Sequence, residues 1–559
     1  MKMFHENETL REDDEDEQPK EICRNCFMER NCNQIFVKGP ALTKEILEKV
    51  NAEIVPKRTY IFGYEMKTKR VLLTAGLSLL FSMSFLGTIM MWFTESFDNF
   101  LVSQMALSNN TDTFNMWKKP SVHVIYNVYI FNYTNVEDFR EGYAEKLHLE
   151  EVGPYAYEEH LERVDLEFPT DNSISYKEKR NYVFKPELTK GRQNDQLIVP
   201  NMAVLSGAAF TKPNNYFQRL AFSGLLSTMN EEPFLTKAAD SFITGYKDRL
   251  YDIAKTFMPD NIPQQMGVLA PKLGQTPYRI TINNGKDDID HLGIVEKFNG
   301  ETELNYFAGG QCNSIESTDG AIHPPRKVQK KEPLHYLFPE GCRRFPLIFN
   351  TETTVIDGKV PVYQYIHPED LFDSADEKPE NGCFCSMDSA QCPLKGVYNA
   401  TACNYGSPVF VSHPHFHRGD PSLTKYFTGL HPERDFKSYF NLHPTLGFAI
   451  SARNMMQVNV QVQKAGGISQ VDMFEDGMLL PIAYLEAVLD DKRIPQDVLD
   501  VIYLVSFTVP SIKLALQYGS LLTAIITMIS LILVLRRKSS PKILPTRLLR
   551  SNQNYYEAS

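Results

Sequence analysis

Three imidazoles at alternate positions, His413, His415 and His417, are the first residues in this chain whose spacing could do chemistry. On an extended backbone all three project to one side, and converging imidazoles can ligate zinc or copper. Pro414 interrupts the run and no neighbouring carboxylate stands ready to orient the rings, so a structural loop is expected there. Cys23-x-x-Cys26, with Cys32 and His5, is a second donor set. It lacks the closely spaced second pair of a structural zinc site, and free thiols are expected. Asp319, Asp357 and Asp476 each precede a glycine, but the further glycine and hydroxyl run of an ecto-nucleotidase phosphate loop is missing. Ordinary turns account for these pairs. The chain carries no nucleophile elbow, P-loop or His-Glu-x-x-His motif. It is read as no enzyme, with no catalytic residue, metal or cofactor.

Six of the nine cysteines, Cys312, Cys342, Cys383, Cys385, Cys392 and Cys403, crowd into one stretch. An even number in an oxidising compartment predicts three disulfides, and six cysteines leave fifteen pairings open. That compartment follows from two long uncharged apolar runs, Val71–Phe93 and Leu514–Leu535, each close to the ~20 residues that span a bilayer. Lys67, Lys69 and Arg70 precede the first, Glu95 and Asp98 follow it, and Arg536, Arg537 and Lys538 follow the second. Basic outer flanks put both termini in the cytosol. The expected parse is a disordered cytoplasmic tail over 1–70, a span over 71–93, an extracellular or lumenal domain over 94–513, a span over 514–535 and a cytoplasmic tail over 536–559. Six consecutive acids, Glu12–Glu17, suit a solvated tail. Glycosylation sequons begin at Asn109, Asn132 and Asn399, all between the spans. A net charge of -11 offers no basic surplus for nucleic acid.

Between the spans, period-two and period-3.6 patterns alternate. Val122, Val124, Tyr126, Val128 and Ile130 share one strand face, with Ile125, Tyr129 and Phe131 on the other, which predicts a strand buried on both sides. Val458, Val460 and Val462 alternate with Gln457, Asn459, Gln461 and Gln463 in a strand with one apolar and one polar face. Over 214–258 the stripes Phe217/Leu220/Ala221/Gly224/Leu225, Leu235/Ala238/Ala239/Phe242/Ile243 and Leu250/Ile253/Ala254/Phe257 predict three consecutive amphipathic helices broken by Pro233 and Gly245.

Several strings occur together in this frame: "VGPYAY" at Val152–Tyr157, "GYKD" at Gly245–Asp248, "CFC" at Cys383–Cys385 and "SHPHF" at Ser412–Phe416. With the six-cysteine spacing and the two spans, the chain resembles the class B scavenger receptor family, which includes the fatty acid translocase, the high-density lipoprotein receptor, the lysosomal integral membrane protein and insect sensory neuron membrane proteins. The resemblance implies an α+β membrane protein with a β-barrel-like ectodomain, an apical three-helix bundle and an internal hydrophobic tunnel, anchored by two transmembrane helices. It implies the pairings Cys312–Cys383, Cys342–Cys403 and Cys385–Cys392. It places ligand docking on the apical helices, here at Phe217, Leu220, Leu225, Thr228, Asn230 and Lys237. The implied function is a plasma-membrane receptor that binds lipids or lipoprotein-like particles and passes apolar cargo through the tunnel; a homo-oligomer is compatible with it. Exposing a sixteen-carbon chain to water costs roughly 12 kcal/mol at ~0.8 per methylene, which a covered path would remove. The turn after the first apical helix reads Thr228, Met229, Asn230, Glu231, Glu232, acidic where the fatty acid translocase carries lysines, which weighs against anionic particles. Two alternatives compete: an adhesion or protein-binding receptor without transport, and a two-span ligand-gated channel with Thr523, Thr527 and Ser530 near one face of its second span.

Overall fold

A computed structural model describes residues 58–61, 64–109, 111–170, 172–256, 262–385 and 392–537. The acidic tail, His5, Cys23, Cys26, Cys32, Phe257 and the tail from Lys538 onward lie outside the described residues. Contacts divide the chain at Leu77 and Ser530 into two compact units, the smaller drawn from both chain ends.

The elements used below are, in chain order, α1 (Thr68–Phe93), β1 (Ile125–Tyr133), β2 (Leu147–Glu167), β3 (Ser173–Phe184), β4 (Gln196–Pro200), α2 (Met202–Thr211), α3 (Tyr216–Met229), β5 (Phe234–Ala238), α4 (Ala239–Thr244), α5 (Arg249–Lys255), β6 (Ile280–Asn283), β7 (Val295–Phe298), β8 (Leu334–Phe338), β9 (Arg343–Val355), β10 (Val360–Ile366), β11 (Val409–Ser412), β12 (Tyr439–Leu442), β13 (Ala449–Gln461), β14 (Leu479–Leu489) and α6 (Val509–Arg536). One large sheet runs in the order β7-β6-β3-β2-β1-β14-β13-β12-β10-β9-β8, with neighbours antiparallel along that path. Its two ends nearly meet. Thr318 bridges Ile294, beside β7, on one side and Tyr336 of β8 on the other. Val295 N–H donates to Ser317 O at 2.7 Å and Leu337 N–H to Thr318 O at 2.8 Å. The result is a barrel-like sheet with one short segment as its seam, which covers most of the edge that an open sheet would leave unpaired.

The strand alternation reads through. On β3, Ile174, Tyr176 and Glu178 are buried, while Lys179, Asn181 and Val183 are exposed. On β1, Val128, Ile130, Phe131 and Tyr133 are buried. Its register against β2 shifts between Val128 and Ile130. Gly153 sits at that shift with φ +138°, and a Cβ there would stand 2.7 Å from Val128 O, so only glycine fits. On β13 both faces are buried. Gln457 and Asn459 are covered, with Gln457 Nε2 donating to Asn459 Oδ1 at 2.7 Å and Asn459 Nδ2 to Ser412 Oγ at 3.0 Å.

The three predicted helices become three helices, α3, α4 and α5, plus the strand β5. α2, which the periodicity did not single out, is followed by α3 with an Asn215/Gln218 capping box and a left-handed Asn230 at its end. The second predicted helix is corrected: its first half, Phe234–Ala238, is β5, paired with β4, and only Ala239–Thr244 is helical. Asp248, the last residue of "GYKD", accepts from Tyr251 N–H at 2.8 Å and starts α5.

α1 and the continuous helical stretch Gln496–Arg536 are long and apolar enough to cross a membrane. The second begins well before Leu514. Lys513, which ends the uncharged run, lies 2.6 Å from Asp98. Thr88 Oγ1 donates to Ser520 Oγ at 3.3 Å and Gln517 Nε2 to Met91 O at 2.9 Å, next to Gly87 and Ser520 in close contact. Small and polar residues thus join the two helices, as expected where lipid supplies no hydrophobic drive.

The disulfides Cys312–Cys383 and Cys385–Cys392 are formed. The implied bridge Cys342–Cys403 is not closed here: both cysteines are free, Cys342 is buried and its Sγ donates to Pro339 O at 3.6 Å. Of the sequon asparagines, Asn109 is exposed, Asn132 lies within β1 with its Oδ1 accepting from Ile198 N–H at 2.9 Å, and Asn399 Oδ1 accepts from Thr401 N–H at 2.9 Å.

Among the buried histidines, His443 and His323 lead us to expect an acid-sensitive fold. His443 Nδ1 accepts from Thr445 and Leu446 N–H, each at 3.2 Å, and burial lowers its pKa to about 4. His323 lies 3.1 Å from Thr318 Oγ1 at the seam, and burial lowers it to about 4 as well. With folded values below the unfolded value of about 6.5, the unfolded chain takes up these protons first. Their contribution is full above pH 6.5 and is lost as pH falls from there through 4. Each is expected to cost about 1–2 kcal/mol between pH 7 and pH 5. The thermal midpoint should therefore drop over that interval, and less so in His443→Gln; a midpoint independent of pH from 7 to 5 would contradict this.

Candidate functional site

The candidate site begins with charges on the inner face of β2 and β3. Glu159 and Arg163 are four apart on β2, and Glu178, Arg180 and Tyr182 alternate on β3, so the pleat turns them to one side. Arg163 is 1% exposed; its Nη2 lies 3.0 Å from Asp319 Oδ2, and its guanidinium stacks 4.6 Å from the Trp117 ring. Asp319 also accepts from Tyr176 OH at 2.8 Å and Trp117 Nε1 at 3.3 Å. Arg180 pairs with Glu178 at 2.6 Å and with Glu159 and Glu340 at 3.4 Å each. Lys272 Nζ is 3.6 Å from Glu340, and Tyr182 OH donates to Glu159 at 2.9 Å. Burial opposes the charge on Asp319, but Arg163 beside it and the donors around it hold its carboxyl below the usual range. Burial likewise opposes the charge on Glu340, and Lys272 and Arg180 hold it low. Asp319 and Glu340 are thus held as carboxylates, in a network of four acidic and three basic side chains.

This network forms one wall of an interior cavity of 230 Å³. The other wall is apolar, supplied by Val268, Leu269, Ile280, Met456, Leu485 and Ala487. The space is below the ~300–1,000 Å³ of pockets that enclose a whole drug-sized ligand. It suits part of a lipid chain with a polar group beside it. A surface groove of 420 Å³ lies elsewhere, between the Thr134–Arg140 segment and β5.

A second feature is the outer face of α3. Phe217 is 79% exposed, Leu220 49% and Leu225 38%, while Ser223 and Leu226 are buried on the opposite side. Exposed Phe210 of α2 extends the set of uncovered apolar side chains. The sequence-predicted docking residues are thus only partly brought together. Phe217, Leu220 and Leu225 share α3. Thr228 is exposed but donates back to Gly224 O at 2.8 Å, and Asn230 caps the helix. Lys237 belongs to β5, not to a helix, and its ammonium lies 4.8 Å over the Tyr246 ring. The acids of the turn are occupied: Glu232 pairs with Arg140 at 3.2 Å and Glu231 accepts from Asn201 Nδ2 at 3.2 Å.

The three alternating imidazoles diverge. His415 and Phe416 have positive φ, so the backbone is not extended there. His413 packs against Phe372, His417 Nδ1 donates to Pro432 O at 2.7 Å, and His415 Nε2 donates to Glu151 at 2.6 Å while its Nδ1 accepts from His431 N–H. The loop also covers the polar face of β13, where Gln457 Oε1 accepts from His415 N–H at 2.6 Å. Sequence reasoning missed the interior charges entirely. Their signal was the alternation of Tyr176, Glu178, Arg180 and Tyr182, which charge periodicity alone would have assigned to solvent.

Comparison with known proteins matches the CD36 family over residues 76–535. Scavenger receptor class B member 1 of Bos taurus is 27% identical over 465 residues, covering 82% of this chain and 87% of that protein. Lysosome membrane protein 2 of Mus musculus is 30% identical over 439 residues, covering 76% and 87%, and the Homo sapiens protein of the same name is 28% identical over 410. With two helices able to span a bilayer, a nearly closed barrel-like sheet and a family match across both, the chain is a membrane protein that belongs to the CD36 family.

Proposed function

We propose that this protein is a scavenger-type receptor that takes up a lipid and passes its apolar part through the interior of the barrel-like sheet to the membrane. The observation that carries this reading is the 230 Å³ cavity with one apolar wall inside the sheet. Its similarity to scavenger receptor class B members supports the receptor class. The exposed Phe217, Leu220 and Leu225 would collect ligand, and the cavity would be one stretch of a longer tunnel. Both termini would be cytosolic, with residues 94–513 extracellular. The plasma membrane is its proposed location. A second reading, adhesion or protein binding without transport, is favoured by the same exposed face of α3.

Two measurements test this. Ala487→Trp and Leu485→Glu each fill or charge the cavity wall, and each should cut uptake of a fluorescent long-chain lipid by about tenfold, a 1.4 kcal/mol effect, at unchanged surface expression. Normal uptake in both variants would exclude transport through this cavity and leave the docking-only reading. Separately, we propose that Cys342 and Cys403 close to a third disulfide in the oxidising compartment, because both side chains pack in the same core cluster. Non-reducing peptide mapping should recover the Cys342–Cys403 pair; quantitative alkylation of both thiols without reduction would contradict it.

A further inference from the structure

Outside the cavity, three donor side chains converge that are 35 to 37 residues apart at their widest in the chain and were invisible to motif searching. His123 immediately precedes the β1 edge. Glu158 and His160 are two apart on β2 and so share a face. The register places them: Ile125 pairs with Glu158, and Glu159 N–H donates to Val124 O at 2.9 Å. One ligating atom from each of His123, Glu158 and His160 lies within 4.8 Å of the other two. The two imidazole centroids are 4.2 Å apart, and His160 Nε2 is 3.0 Å from Glu158 Oε1.

We propose that His123, Glu158 and His160 form a binding site for a divalent transition-metal ion, zinc by donor class, that clips the start of β1 to β2. Two imidazoles and one carboxylate are a recognised zinc set that leaves one position for water or a further ligand. All three side chains are half-buried, accessible to an ion yet held by the sheet.

Lys185 is the competitor. Its Nζ lies 2.9 Å from Glu158 Oε2 and supplies the positive charge that the cluster attracts. It stands just beyond β3 and is a quarter exposed, so it can turn to solvent when a metal takes its place. The site is therefore tuned: the ammonium satisfies Glu158 without metal and weakens metal affinity.

The test uses full-length protein in detergent, with Cys23, Cys26 and Cys32 replaced by serine so that tail thiolates cannot contribute. After chelator treatment it is titrated with cobalt(II) alone and then with zinc. One equivalent of cobalt should give a visible d–d absorption without a thiolate charge-transfer band, and zinc should displace it and raise the thermal midpoint. His160→Ala and His123→Ala should each weaken cobalt binding at least about tenfold, and Lys185→Met should tighten it several-fold. No cobalt spectrum in the parent, or histidine variants that bind as the parent does, would overturn the site. If the histidine variants elute misfolded, Lys185→Met decides: tighter binding supports the site and unchanged binding overturns it.

Discussion

A buried guanidinium sets the terms for this fold. Arg163 reaches from β2 into the interior and must be matched by a carboxylate, because an unpaired charge at that depth costs several kcal/mol. Asp319 is that partner. It adjoins Thr318, the residue that bridges the two ends of the large sheet. One ion pair thus ties the longest strand to the seam. Losing either partner would cost about 3–5 kcal/mol and release the seam as well.

The same constraint shapes the interior. Arg180, Lys272, Glu178, Glu159 and Glu340 continue the network and keep one side of the space polar, while Met456, Leu485 and Ala487 face it from β13 and β14. A fully apolar interior would be free to collapse to native packing density. Hydrogen-bonded charges held by β2, β3 and the turns beside them resist that collapse. A cavity with one greasy wall follows, and it matches a polar-headed apolar cargo. Family membership and this cavity point the same way, and the uncovered face of α3 is where the proposed docking would take place.

Much of this was legible from residues. The two apolar runs, the period-two strands and the apolar stripe of α3 follow from hydropathy, and "GYKD" turns out to end in the N-cap of α5. Phe217, Leu220 and Leu225 fall on one exposed face as their spacing requires. Other features were hidden for physical reasons. Phe234–Ala238 reads as helix by apolar spacing but is a strand because β4 offers it a partner, a long-range fact. Gln457 and Asn459 read as a polar face, yet the His413–His417 loop buries them. Glu178 and Arg180 resemble a solvated strand face, and only closure of the sheet turns that face inward. His123 and His160 meet solely through strand register.

The central claim is that lipid occupies the interior of the sheet. A photoreactive long-chain lipid crosslinked to the full-length protein in membranes, with labelled peptides mapped by mass spectrometry, tests it most directly. The account predicts label on β13 and β14 at Met456, Leu485 and Ala487. Label confined to the two membrane helices and the face of α3 would contradict it.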